Sequence, residues 1–151
     1  MMARETVLKK ALRAIREDFD YILIDCPPNL GLLTINALCA SDRVLIPVST
    51  DYLSLRGVDL LVGTVDKVRD NLNENLEILG LVATMYDSRT RHSNEILDIF
   101  KEKHNLLGVI SESVRVKDSI LASVPLGDFD PGHKTAKEYK DVTDRIVELT
   151  K

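Results

Sequence analysis

The sequence predicts an α/β fold in which a mostly parallel sheet is flanked by helices. The segments at residues 21–25 and 43–48 are apolar except for one charged residue at an end, and they have the length of strands whose two faces are both buried. Segments with apolar residues at helical spacing alternate with these runs, as expected for parallel strands joined by helical crossovers. Because no repeat or low-complexity linker interrupts the 151 residues, we expect one α/β domain over residues 1–151.

The first half of the chain alternates helix and strand. Apolar residues at helical spacing among Lys, Arg and Glu predict an amphipathic helix within residues 8–19, leading into the strand at 21–25. The two prolines at 27–28 end that strand, because proline has no amide to donate to a sheet. The next apolar positions predict a helix at 30–38, followed by the second buried strand at 43–48.

The second half continues the alternation and contains one long irregular stretch, which is rich in Pro and Gly. The predicted elements are a helix at 58–68, an Asn-rich turn at 71–75, a strand at 76–85, a helix around 96–100, a short strand at 106–110, a loop at 119–133 and a terminal helix at 139–149.

Composition limits the function classes. The formal charge of -4 and the isoelectric point near 5.4 argue against a surface that attracts nucleic acid everywhere, so any DNA contact must be local. Cys26 and Cys39 form neither a zinc-ligand pattern nor a disulfide framework, and we expect reduced thiols. No apolar run has the length of a membrane span, and the charged N-terminal segment does not resemble a signal peptide. We therefore expect a cytoplasmic protein without membrane contact.

The segment YILIDCPPNLG at residues 21–31 carries the clearest chemical signal. It places Asp25 at the carboxyl end of a predicted strand, where open α/β sheets bind their ligands, so Asp25 suits a magnesium-phosphate site. An aspartate that only caps a turn is the alternative. The sequence contains no G-x-x-x-x-G-K-S/T loop that could bind the phosphates. Only the acidic part of a nucleotide site is therefore visible.

Three segments together resemble a known family: YILIDCPPNLGLLTINAL, ASDRVLIPVSTDYLSLRGVDLL and ILGLVATMYDSRTRHSNEI. They resemble the ParA/Soj (ParA/MinD-type) chromosome and plasmid partitioning ATPases, from about residue 5 to the C-terminus. That family begins upstream with a strand and a deviant Walker A loop, and this chain resembles the C-terminal portion that follows them. The resemblance implies an incomplete P-loop NTPase fold of the SIMIBI/ParA-like type.

The resemblance also implies roles in nucleotide binding. Asp25 corresponds to the Walker B acid, which orients a magnesium-bound water, and Gly31 to the switch II glycine. Residues 27–31 read equally as a simple strand-to-helix turn. Met85, Ser111 and Glu112 fall in the adenine region, where the family's IPRNVRLSEAPS is replaced by ISESVRVKDSIL. A carboxylate in place of a cation disfavours a polyanionic nucleotide.

Two arginines correspond to positions implicated in nonspecific DNA binding by the family. These are Arg89 in YDSRT and Arg115 in SVRVKD, and Arg91, His92 and Lys117 would extend the same basic patch. Solvated surface arginines are the alternative interpretation. Because two phosphate contacts alone bind weakly, we expect weak or no DNA binding by this chain.

The function implied is an ATP-driven dimerisation switch that binds nonspecific DNA, with ATP and magnesium as the family's cofactors. We expect this chain to bind neither cofactor and to be inactive as an ATPase without the N-terminal phosphate loop. Expected partners are a second copy, a full-length ParA-like protein or a ParB-like protein, with association to the nucleoid. The alternatives are a truncated, non-catalytic interaction or decoy module of this family and, ranked last, a receiver-like signalling domain with Asp25 as phosphoacceptor.

The order of strands raises a question of stability. In the resembled family the phosphate-loop strand lies between the strand at 21–25 and the strand at 43–48. Without it, a gap separates these two strands and each has an unpaired edge, and such edges are adhesive. The gap would close by direct pairing of these two strands, by a strand from a second copy, or by chain upstream of Met1. We therefore expect the isolated chain to associate into a dimer or a higher oligomer.

Overall fold

A computed structural model describes residues 4–151, whose contacts group into two compact units. The first unit contains the chain up to Val44 together with Asp59–Ile78, and the second contains Leu45–Val58 and Leu79–Lys151. The expectation of a single domain stays a prediction. Within the described part of the chain, no helix is both long enough and apolar enough to cross a membrane.

Helices and strands alternate, as the sequence predicts. Short 3-10 turns at Arg4–Thr6 and Arg16–Asp18 flank the first helix. The elements are α1 (Val7–Leu12), α2 (Leu32–Ala40), β1 (Arg43–Ser49), α3 (Tyr52–Asn71), β2 (Glu77–Tyr86), α4 (Arg91–Lys103), β3 (Leu106–Ser111), α5 (Val114–Leu121), α6 (Leu126–Phe129) and α7 (Lys134–Leu149).

The strands form a three-stranded sheet in the order β1-β2-β3. Strands β2 and β3 run parallel, with Ala83 opposite Val109 and Tyr86 opposite Ser111. This arrangement confirms the predicted α/β class, a parallel sheet flanked by helices. Because Tyr86 and Ser111 are the last residues of their strands, the carboxyl ends of β2 and β3 lie side by side.

The first unit has its own apolar core. Leu38 and Cys39 of α2 pack with Val65 and Val68 of α3 and with Leu76, which precedes β2. Val65 and Val68 belong to the apolar stripe that predicted α3, which is buried here, whereas α2 buries only the C-terminal part of its predicted stripe, since Leu33 is exposed. The hydrophobic effect thus holds α2 against α3.

The second unit builds its core between the sheet and the C-terminal helix. Leu79 and Val82 of β2, Leu107 and Ile110 of β3, and Val142 of α7 form one buried cluster. Gly108 lets α7 approach β3 closely, since a Cβ there would lie 2.4 Å from Cγ2 of Val142. This packing places the first turn of α7 near the carboxyl end of β3.

The predicted strand at residues 21–25 is wrong, because the backbone there has no regular secondary structure. Three of its four apolar side chains are exposed, with Leu23 at 92%. A strand requires a neighbour for its backbone hydrogen bonds, and the described sheet ends at β1 without pairing to this segment. Direct pairing of residues 21–25 with 43–48, one of the three ways to close the gap, is therefore also wrong.

Two boundary predictions also need correction. The helix expected over residues 8–19 is α1 alone, and it ends at Leu12. The stretch 119–133, expected to be a loop, contains the end of α5 and the four-residue helix α6. Pro125 sits at the N-cap of α6, where the amide that proline lacks is not needed for helix formation. Proline there marks the start of a helix as well as a turn.

Candidate functional site

The carboxyl ends of β2 and β3 open into a groove of about 670 Å³ in the second unit. Its walls are the end of β2 with the residues that follow it (86–89), the end of β3 with the first turn of α5 (111–117), and the start of α7 (133–135). Four of its lining residues are cationic and two are acidic. The cations are Arg89, Arg115, Lys117 and Lys134, and the acids are Asp87 and Glu112. The groove is thus a local basic site on an acidic chain.

Arg89 is held at one edge of the groove by Asp87. Its Nε donates to Oδ1 of Asp87 at 2.9 Å, and its Nη2 donates to Oδ2 at 2.9 Å. The backbone amide of Arg89 also donates to Oδ1, at 3.0 Å. The hydrogen bonds from Arg89 lower the pKa of Asp87 to about 2, so this carboxylate is ionised at neutral pH. The Arg89 side chain remains 85% exposed.

Arg115 stands in the first turn of α5 and has three neighbours. Its Nε donates to Oδ2 of Asp130 at 3.0 Å, and its Nη1 lies 3.7 Å from Oδ2 of Asp118. The guanidinium carbon lies 5.6 Å from the centroid of the Phe129 ring, a cation–π distance. The hydroxyl of Ser113 caps α5 by accepting from the Arg115 amide. Arg115 is therefore more tightly fixed than Arg89.

Ser111, predicted to lie near an adenine, has its donors engaged by Glu138 of α7. Its amide donates to Oε2 and its hydroxyl to Oε1, both at 2.8 Å. Lys134 donates to the Ser111 hydroxyl at 3.1 Å and lies 3.4 Å from the Glu138 carboxylate. The resembled family has a proline at this position, and proline could not form this hydrogen bond because it has no backbone N–H. The serine thus joins β3 to α7.

The other two residues assigned to the adenine region are placed differently from each other. The amide of Glu112 donates to the carbonyl of Tyr86 at 3.0 Å, and its carboxylate lies 3.7 Å from Nζ of Lys117 in the groove. Met85 is 64% exposed and has a positive φ of 53°, and it is not among the residues that line the groove. The structure thus brings Ser111 and Glu112 together with Arg89 and Arg115, and leaves Met85 outside.

Asp25 and Gly31 lie in the first unit. Asp25 is exposed on irregular backbone and does not end a strand. Gly31 is the N-cap of α2, and its amide donates to Oδ1 of Asn29 at 3.0 Å. Residues 27–31 thus form a turn that leads into α2, as the alternative interpretation has it, but no strand precedes the turn. The assigned roles of Asp25 and Gly31 stay predictions.

Magnesium-bound ATP would require several oxygen ligands and a set of free amides for the phosphates. Among residues 4–151, no group of three or more His, Cys, Asp or Glu side chains could hold a metal ion. The amides of Gly31 and Ser111 already donate to side chains, and Glu112 adds negative charge. The described residues therefore do not fit a complete site for magnesium-bound ATP.

Sequence reasoning missed three of the groove's polar contacts. Asp87 precedes Arg89 by two residues, a spacing at which an aspartate can accept from a nearby backbone amide, so a local signal existed. Asp130 and Glu138 had no such signal. Asp130 lies 15 residues from its partner Arg115, and Glu138 lies 27 residues from Ser111. Only folding brings these pairs together.

Comparison with known proteins places the chain in a family. A family model described as an AAA domain matches residues 1–78, which is just over half of the chain. The sporulation initiation inhibitor protein Soj of Bacillus subtilis is 40% identical over 149 residues, which cover 97% of this chain and 59% of Soj. The chain spans about half the length of the curated relatives it matches.

Several solved structures are also similar to this chain. Cobyrinic acid a,c-diamide synthase from Mycobacterium smegmatis, with bound ATP analogue and magnesium, superposes with a TM-score of 0.76 at 35% identity, over 97% of this chain and 55% of that one. A putative plasmid partition protein from Borrelia burgdorferi bound to AMPPNP gives a TM-score of 0.77 at 29% identity, over 98% and 56%. With the parallel sheet and the family match, these relatives show that the chain belongs to the ParA/Soj (ParA/MinD-type) family of partitioning ATPases.

Proposed function

We propose that this chain is the DNA-contacting portion of a partitioning ATPase and that its groove binds the phosphates of DNA without regard to sequence. The observation that carries the proposal is that Arg89 and Arg115, from separate segments of the chain, line one open groove with Lys117 and Lys134. A cluster of exposed cations at a groove is the arrangement that neutralises a phosphate backbone and releases its counterions.

The charge balance predicts that one copy binds DNA weakly. The groove's four cations face Asp87 and Glu112, and the whole chain carries a formal charge of -4. Few phosphates are therefore neutralised, and the affinity falls as salt rises. Two copies in one assembly bind more tightly, because the second groove meets the same DNA at high effective concentration.

Dimerisation driven by ATP is the family mechanism that supplies such a second groove. Since the described residues do not fit a complete nucleotide site, we propose that ATP and magnesium are held only when the upstream phosphate loop is present. The chain alone then has no ATPase activity. A second copy, a full-length ParA-like protein and a ParB-like protein are the proposed partners, and the nucleoid in the cytoplasm is the proposed location.

Removing both groove arginines tests the DNA-binding proposal. We expect the Arg89→Ala/Arg115→Ala variant to bind a fluorescein-labelled random-sequence DNA duplex about tenfold or more weakly, because two phosphate contacts are lost. The slope of log K against log salt should fall by about two. Fluorescence anisotropy at several salt concentrations measures both quantities, and circular dichroism checks that the variant is folded.

The matched control removes two cations outside the groove, Arg56 in α3 and Lys101 in α4, both of which are exposed. The Arg56→Ala/Lys101→Ala variant changes the net charge equally and should keep most of the wild-type affinity. Equal weakening by both double variants would show that only net charge matters. The groove would then not be the DNA site.

A non-catalytic interaction module is the second candidate, favoured by the exposed edge of the sheet. Strand β1 ends the described sheet, so within residues 4–151 it has a strand neighbour on one side only. Open strand edges pair readily with another chain. If this is the function, calorimetric titration with ATP gives no heat, while light scattering detects a complex with a full-length ParA-like protein. Absence of that complex would remove this candidate.

A further inference from the structure

We propose that Asp87 and Asp130 are internal competitors for phosphate, each occupying a guanidinium of the groove until a polyanion displaces it. This inference rests on the proposed DNA-binding function and goes beyond it, because it names the residues that set the strength of binding. Its basis is that each of the two groove arginines already has a carboxylate partner within hydrogen-bond distance.

The Arg89 pair mimics the way arginine binds a phosphate. Two parallel N–H donors, Nε and Nη2, reach the two oxygens of Asp87, which is the bidentate geometry shared by carboxylate and phosphate ligands. A phosphate that uses this edge must therefore displace Asp87. The exchange is easy, because exposed ion pairs contribute little stability and the Arg89 side chain is 85% exposed.

The carboxylate is the fixed member of this pair and the arginine is the mobile one. Asp87 is only 23% exposed, and it also accepts the Arg89 backbone amide. When the guanidinium swings to a phosphate, the carboxylate stays at the groove and repels the ligand. Asp87 thus weakens phosphate binding in two ways. It occupies the Nε and Nη2 donors of Arg89, and its negative charge repels the phosphate.

Asp130 acts on Arg115 in the same way, but here the arginine keeps its position. The Phe129 ring lies under the guanidinium, so the ring still holds Arg115 at the groove after Asp130 is displaced. Asp130 is 26% exposed and occupies only Nε. The two carboxylates therefore favour a ligand that supplies several phosphates along one strand, because only such a ligand replaces both contacts together.

The test replaces both carboxylates by amides. Asparagine keeps the size of the side chain and retains an oxygen that can accept the Arg89 amide, so the Asp87→Asn/Asp130→Asn variant should fold like the wild type. We expect it to bind the labelled duplex about tenfold more tightly at fixed salt, since two competing charges are removed. The slope of log K against log salt should stay close to that of the wild type, because the same two arginines contact phosphate in both proteins.

A control with the same change in net charge uses Asp98→Asn/Asp144→Asn. These residues pair with Lys101 and Lys140 on exposed helix faces outside the groove. Tightening by the groove pair that exceeds that of the control supports the proposal. Equal tightening, no change or weaker binding overturns it, and weaker binding would show that the carboxylates orient the arginines. Each single variant, Asp87→Asn and Asp130→Asn, is measured as well, so that a folding defect in the double variant does not decide the result.

The two proposals fail in different ways. If Arg89→Ala/Arg115→Ala binds DNA as the wild type does, the groove is not the DNA site and the competitor role fails with it. If the arginine variant weakens binding but the asparagine variant does not tighten it, the DNA-binding proposal stands and only the competitor role is wrong.

Discussion

Replacing Gly80 by alanine should lower the free energy of unfolding by about 2–5 kcal/mol, through backbone strain and overpacking together. Gly80 lies in β2 with φ at +156°, a conformation that residues with a side chain rarely adopt. A Cβ there would lie 2.5 Å from the carbonyl oxygen of Asn105 and 2.7 Å from Cγ of Leu107. Both distances are too short for van der Waals contact, so β2 and β3 must separate.

The separation would also weaken the pairing of the two strands. The same Asn105 carbonyl accepts the amide of Leu81 at 2.8 Å, and the Asn105 side chain donates to the carbonyl of Leu79 at 2.8 Å. Any shift of Asn105 stretches both hydrogen bonds. Urea denaturation followed by circular dichroism measures the loss of stability.

Gly63 in α3 provides the matched control for Gly80. A Cβ at Gly63 meets nothing within 4 Å, so alanine fits there without strain. Since alanine is more favourable than glycine in a helix interior, Gly63→Ala should raise the free energy of unfolding by about 0.5–1 kcal/mol. Wild-type stability of the Gly80→Ala variant would contradict the account of β2 given above.

Replacing Asn73 by leucine should lower the free energy of unfolding by about 2–4 kcal/mol, because buried carbonyls lose their donor. Asn73 is only 7% exposed, and its Nδ2 donates to the carbonyl of Leu38 at 3.0 Å and to that of Ser41 at 2.7 Å. These carbonyls lie at the end of α2, where no further turn of helix can satisfy them. The side chain therefore holds the end of α2 to the turn after α3.

Chemical denaturation of the Asn73→Leu variant measures this effect, with Asn71→Ala as its control. Asn71 is exposed and makes one local hydrogen bond, to the carbonyl of Lys67. Its loss should change the stability by no more than about 0.5 kcal/mol. Equal effects at Asn71 and Asn73 would show that the buried contacts contribute nothing.

Much of the fold could be predicted from apolar periodicity. The strand predicted at 43–48 is β1, and the predicted stripes at 58–68 and 139–149 lie within α3 and α7. The strand at 21–25 could not be judged in this way, because its apolar run meets the same criterion as β1. Whether such a run forms a strand depends on a neighbour that pairs with it, and periodicity carries no information on neighbours.

The candidate site was predictable only in part. The resemblance singled out Arg89, Arg115, Ser111 and Glu112, all of which line the groove. It assigned them to two different ligands, an adenine and DNA. The resemblance gave no indication that Glu138 engages both donors of Ser111, because that contact depends on how α7 packs against β3.

By itself the sequence determined the local properties of this protein: its class of fold, most of its helices and strands, its family and the cations available for a phosphate ligand. Only the tertiary structure decided which carboxylate faces each arginine, which asparagine of the turn at 71–75 is buried, and that residues 21–25 form no strand in the described sheet. The physical reason is the separation along the sequence between the residues that interact. Helical periodicity is encoded within a few neighbouring residues, whereas hydrogen bonds such as Asn73 to Leu38, 35 residues apart, exist only once the chain has folded.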